Sequence, residues 1–492
     1  LLCHKKWLQE WHEVKEHIWR HLKNDSLEIS YLLSLSYDDL SGQLKHCFLY
    51  LGSFLEDSLI DVEKLKWLWM AEGFITPREP KMEEVADHYL NELVNRSMIQ
   101  IADKMWDRIA YCRIHDLLRD LAVQKAIEVN FFDIYDPRKY SATNSSGRRQ
   151  VVHTQIRNYF SLVSPSSKMQ SLVIFNPDGE EPKVKHFRSV CVSFTNLHVL
   201  YLENCHFNFA TAVGQLPYDI GSLIHLKFLG IVDTNFRSLP SSLGKLKSLE
   251  TLCATMTDLA FPPEISELTN LRHLVALCRG PESVSSLKKM ETLNYVKYQD
   301  WLKLETTNVV NLRELVVQNI DGQGSLDSIG KLRSLATLTL TCSVSGAFPL
   351  LEPLSSCQHL IRLWLSGPIQ NQGQLEKLPR SIRILTLQHS NVGRDPMPVL
   401  ETFPNLQSLE LIGAYYGHSF CCTAKGFPEL ELLRFRNLYS LMDWHLEDEA
   451  MPRLKGVGIF RCPRLRCPQR INHVFKLKET ETRLLPYERM WA

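Results

Sequence analysis

The 492-residue sequence predicts an α/β protein in two unlike parts: a helical domain that closes on a strand pair, then a curved parallel-sheet solenoid. Three observations lead there. Four segments between residues 26 and 97 carry apolar residues at helical spacing, two short alternating runs follow at MIQIA and RIAYCRI, and beyond residue 165 an LxxLxL pattern returns every 19 to 29 residues. The length exceeds the ~100–200 residues usual for one domain, so at least two domains, or one domain and a repeat array, are expected.

The chain opens with Trp7, Trp11, Val14, Ile18 and Leu22 at steps of four, three, four and four, which is one amphipathic helix. It is set apart as a linking segment over residues 1–25. Next come SLEISYLLSLSYDDL, SGQLKHCFLYLGSF, DVEKLKWLWMAEGFI and KMEEVADHYLNELVNRS, each opening on a Ser, Asp or charged-turn signal and each read as a helix. The two alternating runs, parted by the polar DKMWD, read as a hairpin, and LLRDLAVQKAI behind His115 and Asp116 reads as a closing helix. Helices followed by a two-stranded wing make a winged helix, placed over residues 26–135. DPRKYSATNSSGRRQ, residues 136–150, is polar, rich in breakers and without period, and is expected to be a linker.

The pattern beyond has the signature of leucine-rich repeats over residues 151–470, with a tail at 471–492. Its middle apolar anchors fall at Leu172, Leu200, Leu229, Leu252, Leu274, Val296, Leu315, Leu338, Leu363, Leu385, Leu409, Leu433 and Val457, about 13 repeats in all. One such unit cannot bury its own apolar face; stacking turns the strands into a parallel sheet and the leucines into a continuous core. The capping position after the anchors is filled by Cys205, Ser343, Ser390 and Cys462, which still offer part of the backbone hydrogen bonding and predict an irregular solenoid. LPYDIGSLIHLKFLGI, LPSSLGKLKSLETLCA and FPPEISELTNLRHLVA share a Leu/Phe-Pro turn and a second apolar stripe, expected on the convex side. No gap between anchors leaves room for another domain.

Lys+Arg 56 against Asp+Glu 55 gives a net charge of +1, which argues against a general nucleic-acid or anionic-membrane binder. The 13 cysteines are odd in number and scattered, without zinc-site spacing, and read as reduced, mostly buried thiols. No apolar run approaches the ~18 residues of a membrane span. Glycosylation sequons at Asn24, Asn95 and Asn144 all precede residue 150, which weighs against a secreted repeat protein. LLCHKKWLQEW has neither initiator Met nor cleavage site, so the chain is expected to be a piece of a longer one.

Three segments, CFLYLGSFLED (Cys47–Asp57), LKWLWMAEGFI (Leu65–Ile75) and RIHDLLRDLA (Arg113–Ala122), followed by the repeats, resemble the plant coiled-coil, nucleotide-binding, leucine-rich-repeat disease-resistance proteins of the solanaceous type. The resemblance covers essentially the whole chain. It departs from the family pattern at Leu55, where a Pro is usual, and at Ile114, where Met usually precedes the His-Asp pair. It implies an intracellular immune receptor, cytoplasmic or peripheral at the plasma membrane, whose repeats recognise and restrain and whose winged helix belongs to an ADP/ATP switch. By it, residues 1–25 link from a truncated nucleotide-binding module, and His115 with Asp116 senses the ADP phosphate. An imidazole N–H suits a phosphate oxygen; as ordinary residues, Asp116 would be a helix N-cap and His115 a surface linker. The implied partners are a pathogen effector or guarded host protein and the receptor's own nucleotide-binding and coiled-coil domains, with an oligomer on activation of the complete receptor.

A phosphate loop of the form G-x-x-x-x-G-K-[ST] is missing; Gly324 to Leu332 has five residues between its glycines and Leu332 in place of the Ser/Thr after Lys331, so no nucleotide should be bound tightly by this chain alone. No nucleophile, metal-ligand or acid–base constellation points to an enzyme. A DNA-reading winged helix is the first alternative, but DVEKLKWLWMAEGFI sets only Lys64 and Lys66 against Asp61, Glu63 and Glu72. A ubiquitin-ligase adaptor is the second, without an F-box pattern to support it. Residues between anchors should face the concave side, which makes Tyr201, Phe228, Trp364, Arg434 and Arg436 a candidate partner surface. Residues 451–470 carry Arg453, Lys455, Arg461, Arg464, Arg466 and Arg470 without an acid, read first as a solvated final repeat.

Overall fold

The computed structural model describes residues 29–477, apart from 77–81, 106–107, 139–146, 163–164, 210–213, 280–285, 305–308 and 472–473. The linking helix expected in residues 1–25 and most of the 471–492 tail lie outside the described residues. The chain divides into two units, one of residues up to 210 with 222–235, the other of 211–221 with everything from 236 on.

In the first unit the expected helices form at α1 (Ile29–Asp38), α2 (Gly42–Leu51), α3 (Val62–Ala71), α4 (Met82–Asn95) and α5 (Asp116–Glu128). Helix α3 starts where the Asp61 carboxylate accepts the Lys64 amide at 2.9 Å, an N-cap of about 1 kcal/mol, and stops before Gly73 at φ 79°. The wing is the antiparallel pair β2 (Gln100–Met105) and β3 (Arg108–Arg113), with β1 (Ile60–Asp61) on the other edge of β3. Five parallel strands follow in chain order: β4 (Asp133–Ile134), β5 (Arg149–Val152), β6 (Ser171–Phe175), β7 (Val199–Glu203) and β8 (Phe228–Val232). Two strands thus precede the first predicted anchor. Arg149 and Gln150, expected in the linker, already belong to β5.

The second unit continues the pattern with β9 (Thr251–Ala260), β10 (His273–Arg279), β11 (Thr292–Lys297), β12 (Glu314–Ile320), β13 (Thr337–Cys342), β14 (Arg362–Ser366), β15 (Ile384–Gln388) and β16 (Ser408–Ile412). After a side strand β17 (Ser419–Cys422) come β18 (Leu432–Arg436), a second side strand β19 (Asp443–Leu446), β20 (Gly456–Phe460) and β21 (Phe475–Lys476). Among the described residues the parallel repeat strands of the two units number sixteen; β17 and β19 pair with each other, and Asp443 of β19 also bridges to Arg466.

Register bears out the anchor reading at all but one position. Leu172, Leu200 and Leu229 are mutual partners in the first unit, and Leu315, Leu338, Leu363, Leu385, Leu409, Leu433 and Val457 in the second. The exception is Val296: Leu293, three residues earlier, pairs with Leu274 and Leu315, and the strand shifts register before Val296 meets Val317. Behind the strands the chain returns through short 3₁₀ turns at Tyr218–Ser222, Ser241–Lys245 and Pro263–Glu267, where the Leu/Phe-Pro segments were expected.

Many strands end on a corner residue of positive φ: Asn204 (55°), Asp233 (48°), His389 (49°), Gly413 (51°), Asn437 (55°) and Arg461 (52°). Asn and Asp tolerate this region better than other side chains, so several corners are written in the sequence. The next residue often braces the corner: Cys205 Sγ donates to the Glu203 carbonyl, Ser390 Oγ to Gln388 and Cys462 Sγ to Phe460. Ser343 Oγ reaches back one repeat to the Ile320 carbonyl.

Candidate functional site

The winged-helix turn places His115 between β3 and α5 with extended backbone, φ −69° and ψ 141°. Its Nδ1 accepts the Leu117 amide at 3.3 Å, and its carbonyl accepts Leu118 and Arg119 at 2.8 and 2.9 Å. His115 is therefore the N-cap, a role the sequence reading gave to Asp116; Asp116 lies in the first helical turn. Accepting through Nδ1 leaves the proton of the neutral ring on Nε2, and the side chain is exposed.

The candidate partner surface separates into two groups. Tyr201 and Phe228 are fully buried and Trp364 is 4% exposed, so these three are not free contact residues. Arg434 and Arg436 are half-buried on β18, the Arg436 guanidinium 5.7 Å from the Phe460 ring centre.

The cause of the burial differs between units. In the second, Trp364 lies between Thr339 and Thr386 on flanking strands, and its indole N–H donates to Gln388 Oε1 at 3.1 Å. Neighbours one strand away, about 4.8 Å off, suffice to cover it. In the first, the winged helix packs over the strands. Lys64 Nζ of α3 donates to the Tyr201 hydroxyl at 2.6 Å and pairs with Glu203 at 3.5 Å, and the Tyr201 hydroxyl itself donates to Glu203. Phe54 meets Phe175 with ring centres 5.7 Å apart, and His153 Nε2 bonds the Ser53 carbonyl at 2.8 Å. Gly230 is required here, because a Cβ would run into the Tyr201 ring.

Sequence reading missed this surface, yet a signal existed. SLVIF, VLYL and FLGIV are apolar at almost every position, the mark of strands covered on both faces and not of a solvated one. The lysines on which a DNA-reading helix would depend are both occupied, Lys64 by this contact and Lys66 by acids of the winged helix itself. Lys66 sits 2.9 Å from Glu63 and 2.6 Å from Asp87; burial pulls its pKa down, but the two carboxylates outweigh this and hold it above the ordinary value. α3 itself is buried at Leu65, Trp67, Leu68 and Trp69.

Other chemistry is sparse among the described residues. No group of three or more His, Cys, Asp or Glu could hold a metal ion, and no helix is long and apolar enough to cross a membrane. Most of the described cysteines are buried and all are free; burial pushes the Cys112 thiol up to about 12 and Cys357 to about 11, so neither supplies a thiolate nucleophile. In the basic stretch 451–470, Arg453 pairs with Glu429, Lys455 with Glu431 at 2.7 Å and Arg466 with Asp443 at 3.9 Å, each acid one repeat back.

Comparison with known proteins agrees with this architecture. Residues 54–122 match the disease resistance protein winged helix domain and residues 168–476 a leucine-rich repeat region. The chain belongs to the plant disease-resistance proteins. Among its relatives in Arabidopsis thaliana, the disease resistance protein RPP13 is 32% identical over 92% of this chain and 52% of its own length. The disease resistance RPP13-like protein 2 is 32% identical over 93% of this chain and 54% of its own. The chain thus spans about half the length of the curated disease-resistance relatives it matches.

Proposed function

We propose that this chain is the switch and recognition portion of an intracellular plant immune receptor that triggers defence and the hypersensitive response. The repeats serve recognition of a pathogen effector or guarded host protein and restraint of signalling, and the winged helix forms part of an ADP/ATP switch completed by a nucleotide-binding module. The observation that carries the reading is the strand-to-helix turn at His115. The N-cap bond to Nδ1 orients an exposed Nε2–H donor, which is what a β-phosphate oxygen of ADP would accept. Asp116 adds a carboxylate in the same turn. For the partner, the half-buried Arg434 and Arg436 stay as contact candidates, which suits an acidic surface.

Such a contact stabilises the closed state only. Losing a charge-assisted phosphate bond costs ~1.5–3 kcal/mol, a shift of roughly tenfold to a hundredfold between two states. His115→Ala and Asp116→Val, placed in the complete receptor, should therefore signal without pathogen and retain less ADP, as read by leaf cell death at matched protein levels and by nucleotide extraction. Silent variants that keep ADP as fully as the parent would return His115 to a plain helix cap.

A further inference from the structure

At the first repeat strand, a charged pair is buried between segments far apart in the chain. Glu72 is the C-cap residue of α3, and Arg149 is the first residue of β5. Arg149 Nε lies 2.6 Å from Glu72 Oε2, with the Glu72 side chain 2% exposed and that of Arg149 18%. The guanidinium sits 5.1 Å from the Phe74 ring centre and 4.6 Å from that of Phe131, and donates to the Phe131 carbonyl at 3.4 Å. His46 stacks on Phe131 at 5.5 Å, and Tyr50 is fully buried nearby, its phenol raised by desolvation first and by the Glu72 charge second.

We propose that Glu72 and Arg149 form a buried charge clasp that joins the winged helix and the first repeat strands into one cooperative unit, so that the outward face of β5 to β8 is a docking surface whose occupant is the chain's own winged helix. Three observations support the commitment to this occupant. The face is apolar where α3 and Phe54 cover it, its one acid on β7, Glu203, meets Lys64, and residues up to 210 with 222–235 form a single compact unit. Breaking one side of a buried pair leaves the other charge without a counter-ion, which is far more disruptive than loss of an exposed pair. The aromatic slot adds a cation–π contact that a flexible ammonium would fill less well.

Hydrogen exchange on the whole chain tests the clasp. In the parent, amides of α3 and of β5 should open together. Glu72→Gln should speed exchange in Arg149–Val152 at least tenfold while β13 to β15 stay within twofold, the latter showing that the rest of the chain is folded. Arg149→Lys, which keeps the charge but loses the planar fork, should give a smaller acceleration confined to the same segments, and it decides the matter if Glu72→Gln unfolds the whole chain. Independent opening of β5 and α3 in the parent, or exchange unchanged within twofold in both variants, would overturn the proposal.

Discussion

The outward faces of the two sets of repeat strands have the same spacing and opposite chemistry. In β6 to β8 the residues between the anchors are Val173, Phe175, Tyr201 and Gly230, and all lie under the winged helix or beside residues that do. In β13 to β18 the matching positions are Thr339, Trp364, Thr386, Glu410 and Arg434. The core leucines determine that a strand forms; the residues between them determine what covers it. A repeat array can therefore carry an apolar, covered face and a more polar one without altering its core.

Substitutions can break this contrast or sharpen it. Tyr201→Ala and Trp364→Ala should each cost about 3–5 kcal/mol, because both rings are buried. They differ in where the damage falls: Tyr201→Ala should loosen α3 in hydrogen exchange, whereas Trp364→Ala should leave α3 untouched and loosen β14 and β15. A Trp364→Ala chain as stable as the parent in urea would show that the second face is open after all. A smaller effect, about 1–3 kcal/mol, is expected for Gly230→Ala, whose Cβ has no space beside Tyr201. By contrast, Arg434→Gln should stay within about 0.5 kcal/mol in the same melts while weakening capture of an acidic partner; equal capture would remove Arg434 from the reading face.

The smallest effect is one of pH. Desolvation chiefly lowers the pKa of His46 and His153, with the charges of Arg149 and Arg119 acting the same way and the Ser53 carbonyl opposing it at His153. A folded-state pKa below the unfolded value of ~6.5 means that the unfolded chain binds more protons, so stability is complete above ~6.5 and is lost as pH falls below it. Thermal midpoints of the first unit should drop between pH 7 and 5, and His153→Gln should flatten that slope. An unchanged slope would indicate that the ring is already solvated in the native state.

How much was legible follows from which interactions are local in sequence. Twelve of the thirteen anchors stand in their predicted strands and register, since the LxxLxL spacing is itself the stacking repeat. Val296 failed because the register shift around it depends on both flanking strands, which a single repeat cannot express. The helices were readable from their periods and start signals, and Asp61 caps α3 as its position suggested. The long-range contacts were not. Nothing near Lys64 or Glu72 in the chain points to Glu203 or Arg149, which lie 139 and 77 residues away. Tyr201 and Phe228 were placed correctly on the outward face, but what lies above that face belongs to tertiary packing. The N-cap at His115 was misplaced by one residue, a scale at which helix ends are set by hydrogen-bond geometry more than by residue type.

The positive-φ corners at Asn204, Asp233, His389, Gly413, Asn437 and Arg461 have one more implication. Each of these strands is held at its head by buried apolar residues and at its tail by a fixed bend, so a residue inserted or deleted elsewhere in the repeat lengthens or shortens only the return path. That is how spacings of 22 to 29 residues coexist with an aligned ladder at these strands. Variation in such a chain has two separate outlets: insertions and deletions reshape the side where the chain turns back, and substitutions between the leucines rewrite the sheet. Either surface can change without re-solving the other.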